Sequence, residues 1–184
     1  MGHDQLDRLY ERLLVVRCQA GDEAAFAEFV ERYHARLRRF LRRMLGEQQA
    51  DDALQDVWLD VWRSIGRLED VAAAQAWVFR IARDRAYRVL RRRSAIVPTV
   101  TIDERHTTVP DERDDGLDPD DRQLLNKSLD AIGHEHREVL LLRFIEQMTY
   151  DQIAVAVGCE IGTVRSRLHY AKRALRDHVE RKTQ

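Results

Sequence analysis

All three prolines of this 184-residue chain, Pro98, Pro110 and Pro119, fall in one short stretch, and that confinement governs what the rest can fold into. Proline removes a backbone donor and clashes with the preceding helical turn, so it marks where a helix cannot run. On either side of the stretch the chain is proline-free, and only eight glycines are spread over its whole length. Few natural breaks favour long helices over a strand-rich fold.

Apolar spacing agrees. Asp22 follows Gly21 and is placed to cap a helix with Phe26, Phe29, Val30, Tyr33, Leu37, Phe40, Leu41 and Met44 at steps of three and four, ending at Gly46. A second helix carries Ala53, Leu54, Val57, Trp58, Val61, Trp62 and Ile65 on one stripe and ends near Gly66. A third starts around Ala73 with Trp77, Val78, Ile81, Ala82, Ala86, Val89 and Leu90, and a shorter helix over roughly Gln5 to Gln19 precedes them all. From about Ser94 to Asp121 the periodicity fails, and the run Asp111, Glu112, Asp114, Asp115, Asp118 reads as an acidic, extended linker. Periodicity resumes with Leu124, Leu125, Leu129 and Ile132 and runs on through Val139, Leu140, Leu142 and Phe144. The expectation is an all-α chain: a helical domain over 1–95, a flexible linker over 96–120, and a second helical domain over 121–184.

The sharpest local signal lies at 149–175. Thr149 with Gln152 three residues on is a capping-box pattern. Ile153, Ala154 and Val157 supply an inward face, and Gly158 sits where a tight turn needs a positive φ. A second helix from about Ile161 turns Val164 and Leu168 inward, and Thr163, Arg165, Ser166, Arg167, His169 and Lys172 outward. Hydroxyls, arginine and lysine on one face suit the major groove, where arginine reads guanine and the others hold phosphates. An amphipathic hairpin with a solvated basic face is the plainer reading. The cap, the glycine turn and the position of the basic face together favour a helix-turn-helix.

Two features mark the first block. Asp51, Asp52, Gln55, Asp56 and Asp60 line a polar face that the pattern sets opposite the tryptophans. It is a solvated acidic face, a dock for a basic partner, or, with histidines or glutamates from facing helices, a metal site. The third helix carries Arg80, Arg83, Arg85, Arg88, Arg91, Arg92 and Arg93, countered only by Asp84. So many arginines point to a phosphate backbone. The preceding loop, Gly66 to Gln75, leads into Trp77, which belongs with the apolar stripe; exposed loops beside basic helices are where unstacked bases can be gripped.

A formal net charge of −1 would argue against nucleic acid were it evenly spread. Residues 1–93 hold 18 basic and 15 acidic side chains, 94–121 hold 2 and 9, and 122–184 hold 11 and 8. Two mildly basic blocks therefore flank an acidic connector, which is compatible with DNA binding. Cys18 and Cys159 lie far apart without CxxC spacing, which fits a reducing cytoplasm. No apolar run is long enough to span a bilayer, and the polar start lacks a signal-peptide core, so a soluble cytoplasmic protein without membrane insertion is expected. Neither a Ser/His/Asp nor a Cys/His nucleophile system can be argued from spacing, and there is no glycine-rich phosphate loop.

Taken in order, these segments resemble the extracytoplasmic-function (ECF) sigma factors of the sigma-70 family. AGDEAAFAEFVERYHARLRRFL (20–41) resembles the start of their region 2, and ADDALQDVWLDVWRSIGRL (50–68) the part that binds the β′ clamp helices of RNA polymerase. AWVFRIARDRAYRVLRRR (76–93) resembles the helix facing the downstream promoter element, and 136–175 resembles region 4, which reads the upstream element. The resemblance implies a non-enzymatic, stress-responsive subunit that needs no cofactor or metal. It would bind core polymerase through β′ and β, bring it to promoter DNA, and capture a flipped base as the strands part. Asp52, Gln55, Asp56 and Asp60 would face β′, while Arg80, Arg83, Asp84 and Arg88 would meet the downstream element. Thr163, Arg165, Ser166 and His169 would approach bases upstream, with Arg167, Lys172 and Arg173 nearer phosphates. An anti-sigma factor covering these surfaces is implied as well.

The chain departs from the family pattern at three places. The loop that commonly carries an FRGxxxF-like stretch reads LEDVAAAQ (68–75), Asp84 stands where asparagine often follows RIAR, and Glu160 replaces the usual serine cap. An ionised carboxylate accepts but does not donate hydrogen bonds, so the first two changes bear on downstream specificity. Two other readings of the residues remain: a two-domain helix-turn-helix regulator that leaves sigma in place, and a helical metalloenzyme using the Asp51–Asp60 face with His134, His136 or His169.

Overall fold

The computed structural model describes residues 2–96 and 119–183, and every described element is a helix or a turn. The first unit contains α1 (Gly2–Gln19), α2 (Glu23–Leu45), α3 (Glu47–Ser64) and α4 (Ala74–Ile96). The second contains nearly all of α5 (Pro119–Asp130), α6 (His134–Leu140), α7 (Tyr150–Val157) and α8 (Ile161–Thr183). Most of the expected 96–120 linker lies outside the described residues. At its two edges the helices reach further than the sequence suggests: α4 continues to Ile96, and Pro119 opens α5. Proline's fixed φ suits the first position of a helix, where its missing N–H costs nothing.

In the first unit Asp22 is the N-cap of α2, its carboxylate accepting from the Ala25 N–H at 3.0 Å. Arg17 holds the same carboxylate at 2.7 Å. The backbone N–H first and then the guanidinium pull the Asp22 carboxyl below its usual range. Gly46, at φ 85°, ends α2 and admits the sharp turn into α3. The core is built on α2: Phe29, Tyr33, Leu37, Phe40, Leu41 and Met44 are buried against Leu14 and Val15 of α1, Val57 and Val61 of α3, and Phe79 and Ala82 of α4. Phe40 meets Phe79 edge-on at 5.5 Å, a geometry aromatic pairs prefer. The Tyr33 hydroxyl, inside this core, donates to Glu11, and burial followed by that carboxylate pushes its phenol pKa up.

The second unit packs α6 and α5 on α8 around Val139, Leu140, Leu142, Met148, Ile153, Val164, Leu168 and Ala171. Between α6 and α7 the chain widens into a π-helical turn, Leu141–Ile145, closed by the Glu146 N–H on the Leu141 carbonyl, and Phe144 is left exposed. Arg137 is buried, with Nε donating to the Leu129 carbonyl at 2.9 Å and Nη2 to the Asp130 carbonyl at 2.8 Å. One guanidinium therefore satisfies acceptors that the end of α5 leaves without helical partners. Its positive charge also complements the negative end of the helix dipole there.

Candidate nucleic-acid and protein-binding surfaces

Helix α7 and the turn that leads from it into α8 are built as their residues dictate. Thr149 Oγ1 accepts from the Gln152 N–H at 3.2 Å and Gln152 Oε1 accepts from the Thr149 N–H at 2.9 Å, a reciprocal capping box. Gly158 ends α7 in the left-handed region at φ 70°, ψ 43°. The N–H groups of Gly158 and Cys159 both return to the Ala154 carbonyl. Glu160 caps α8 through its own carbonyl, which accepts from Thr163 and Val164. Ile153 and Val157 are buried as the spacing predicts; Ala156 is buried too, and Ala154 is only half-buried.

Along α8 Thr163, Arg165, Ser166, His169, Lys172 and Arg173 are exposed, and Val164, Leu168 and Ala171 are buried. Ser166 Oγ bonds back to the Gly162 and Thr163 carbonyls at 3.2 and 3.0 Å, so its hydroxyl is already oriented. His169 and Tyr170 meet edge-on at 5.5 Å, and Lys172 Nζ sits 5.5 Å above the Phe144 ring. Arg167 differs from its neighbours. It is half-buried, with Nη2 3.0 Å from Glu135 and Nη1 3.6 Å from the fully buried Glu138, both on α6. Its guanidinium anchors α8 to the helix beneath it, a task that periodicity alone does not reveal.

On α4 Arg80, Asp84, Arg88, Arg91 and Arg92 are exposed. Arg83 is half-buried, lying 4.6 Å over the Tyr87 ring with Nη1 3.4 Å from Asp84. The Asp84 carboxylate thus has a cation beside it. Arg85 is turned away from that face: Nη1 lies 3.0 Å from Asp56 and Nη2 2.6 Å from Asp60, both on α3. The sequence expectation of seven arginines countered only by Asp84 therefore needs correcting, since α3 supplies two more carboxylates. Trp77, which the sequence places in the core, is half-buried.

The loop before α4 is two short 3₁₀ turns, Ile65–Arg67 and Val71–Ala73. Gln19 Nε2 donates to the Ile65 and Leu68 carbonyls at 3.1 and 2.7 Å, and Asp70 caps the second turn through the Ala72 N–H at 2.9 Å. An exposed loop is held in shape by a side chain 49 positions away, which no local signal could have indicated.

On α3 Asp51, Asp52, Gln55 and Asp56 are exposed and Asp60 is half-buried. Asp51 is paired with Arg38 of α2 at 2.8 Å, which lowers its carboxyl pKa. The face is less purely acidic than its sequence suggests. Leu59 and Trp62 are about half exposed, and Trp62 packs edge-on against Phe26 at 4.6 Å. At about 100° per residue, Trp62 lies closer to Gln55 and Leu59 than to the buried stripe, so it flanks the polar face instead of opposing it. Glu31 and His34 of α2 have the three-residue spacing of helical metal sites. Among the described residues, however, no group of three or more His, Cys, Asp or Glu side chains is placed to hold a metal ion. No described helix is long and apolar enough to cross a membrane.

Comparison with known proteins follows this division. Residues 29–96 match the family described as Sigma-70 region 2, and residues 134–175 match Sigma-70, region 4. The chain is 24% identical to the ECF RNA polymerase sigma-E factor of Escherichia coli, over 95% of this chain and 96% of that protein. It is 26% identical to the sigma-E factor of Haemophilus influenzae, over 95% and 97%. Among solved structures, the sigma factor RpoE of Bartonella quintana, in complex with the anti-sigma factor NepR, superposes with a TM-score of 0.69 at 25% identity, covering 83% of this chain and 97% of that one. CnrH, solved with the cytosolic domain of CnrY, superposes at 0.70 with 21% identity, covering 92% and 97%.

Proposed function

The chain belongs to the sigma-70 family as an ECF sigma factor that directs RNA polymerase to promoters, and we propose which of its residues meet polymerase and which meet DNA. The observation that carries the assignment is the pair of exposed basic faces, on α4 and on α8, each in its own unit. The proposed domains are those read from the sequence, 1–95 and 121–184, extended to the ends of the described helices at Ile96 and Pro119, with the first domain docking on polymerase.

Asp52, Gln55, Asp56 and Asp60 present carboxylates and an amide to basic side chains of the β′ clamp helices, with Leu59 and Trp62 adding apolar contact at one edge. Charges of this kind steer encounter and fix orientation more than they add affinity. Arg80, Arg83 and Arg88 hold phosphates of the downstream element as its strands part, and Asp84 beside Arg83 tunes that contact. Thr163, Arg165, Ser166 and His169 approach base edges of the upstream element, while Lys172 and Arg173 hold its backbone. Arg167 keeps α8 at the height and roll its neighbours need.

The chain acts as a subunit and makes no covalent step of its own. An anti-sigma factor is the expected inhibitor; RpoE of Bartonella quintana was solved with one. The test of docking is co-elution with core polymerase. The intact chain should form a complex that competes with another sigma factor, and Asp52→Lys with Gln55→Lys should lose it. A chain that binds promoters without binding core would be an ordinary helix-turn-helix regulator.

A further inference from the structure

Arg85 stands between the two surfaces of the first unit. It lies three positions before Arg88 and seven before Arg92, so it borders the exposed arginine face of α4. Its guanidinium is nevertheless spent on α3, with Nη1 at 3.0 Å from Asp56, and Nη2 and Nε at 2.6 and 2.7 Å from Asp60. The same two carboxylates belong to the proposed polymerase-docking face. Asp56 remains 54% exposed at its side chain, so an incoming cation can reach it, whereas Arg85 is 22% exposed.

We propose that Arg85 is a gated DNA contact: the Asp56 and Asp60 carboxylates sequester it in the free chain, and a basic partner that takes those carboxylates releases it toward a DNA phosphate. This rests on the docking reading above for its physiological trigger, but the gate itself is a property of three side chains. A partner's lysine or arginine competes with Arg85 for the same carboxylate oxygens and sets a like charge beside it, so binding on α3 weakens the hold on Arg85. A released guanidinium at the edge of the arginine face adds one cation to the phosphate-binding set. By linkage, DNA held through Arg85 also leaves Asp56 and Asp60 more receptive to the basic partner, so the two ligands favour one another. Arginine suits the position because its planar fork can pair bidentately with a carboxylate or with a phosphate.

The experiment is a mutant cycle on the full chain without polymerase, read by fluorescence anisotropy with a labelled duplex over a range of salt. Asp56→Asn with Asp60→Asn imitates the occupied docking face. It should tighten DNA binding by about fivefold or more, the lower end of ordinary coupling. The slope of affinity against salt should also steepen by about one unit, the signature of one more phosphate contact. Arg85→Gln alone should change little, and in the Arg85→Gln background the double asparagine change should give a much smaller gain. An equal gain in both backgrounds would mean that only general charge was altered, and would overturn the gate, as would no gain in either. Circular dichroism melting of each variant establishes that it is folded. Core-polymerase binding by the double asparagine variant is read separately: undiminished affinity there would overturn the docking reading and leave the gate as measured.

Discussion

Thr149 and Gly158 fix the two ends of α7, and each makes a separable contribution. Replacing Thr149 with alanine removes the hydroxyl that accepts from Gln152, and loss of such a cap costs about 1 kcal/mol. At Gly158 an added Cβ meets nothing within 4 Å, so the penalty of Gly158→Ala comes from the left-handed backbone alone. It should cost about 1–2 kcal/mol, and urea unfolding of both variants checks the pair. Arg165 and Arg91, both exposed, should separate by what they read. Arg165→Ala should weaken binding to a matched promoter by about 1–3 kcal/mol and spare a scrambled one, whereas Arg91→Ala should weaken both alike. Equal losses on the two DNAs for both variants would contradict the division between base and phosphate contacts. Asp22 supplies a pH prediction. Its folded carboxyl pKa is depressed, so its contribution is fully present above the ordinary aspartate value of about 3.9 and is lost as pH falls through the lower folded value. Asp22→Asn, which keeps an acceptor but not the charge, should flatten the stability profile below about pH 4.

The helices themselves were legible because their signals are local. Asp22 as a cap, Gly46 as a stop, the capping box and the Gly158 turn all act within a few residues, and all stand where the sequence sets them. What the sequence did not disclose depends on which helix lies opposite. Arg85 and Arg167 sit among arginines of similar spacing, yet the first is claimed by α3 and the second by α6. Trp62 looks like a core residue beside Trp58, but a rotation of 40° over four residues carries it to the exposed side. Gln19 clamps a loop far along the chain. Arg137, an unremarked residue in a charged run, turns out to close the end of α5. Arg137→Ala should therefore be among the more damaging single changes in the second unit, costing about 3 kcal/mol through buried carbonyls left without donors. A thermal melt that moved no more than for an exposed arginine such as Arg173 would contradict that role.

For the whole molecule, segregated charge matters more than net charge. A chain of formal charge −1 presents arginines on α4 and a mixed polar and basic face on α8, with acidic residues concentrated between the blocks. Affinity of the polymerase-bound chain for promoter DNA should accordingly fall steeply with salt despite the near-neutral total. The sequence resemblance, the two helical units and the ordered matches to regions 2 and 4 agree on the class of molecule. In the proposed arrangement the LEDVAAAQ loop and Asp84 are its distinctive features on the downstream side. The most direct test is transcription in vitro, with the purified chain added to bacterial core polymerase on a genomic fragment library and every transcript mapped. The account predicts discrete start sites that share two spaced upstream motifs, with Arg165→Ala reducing initiation at those sites. Failure to bind core and to initiate, where a control sigma factor succeeds and no inhibitor is present, would contradict it.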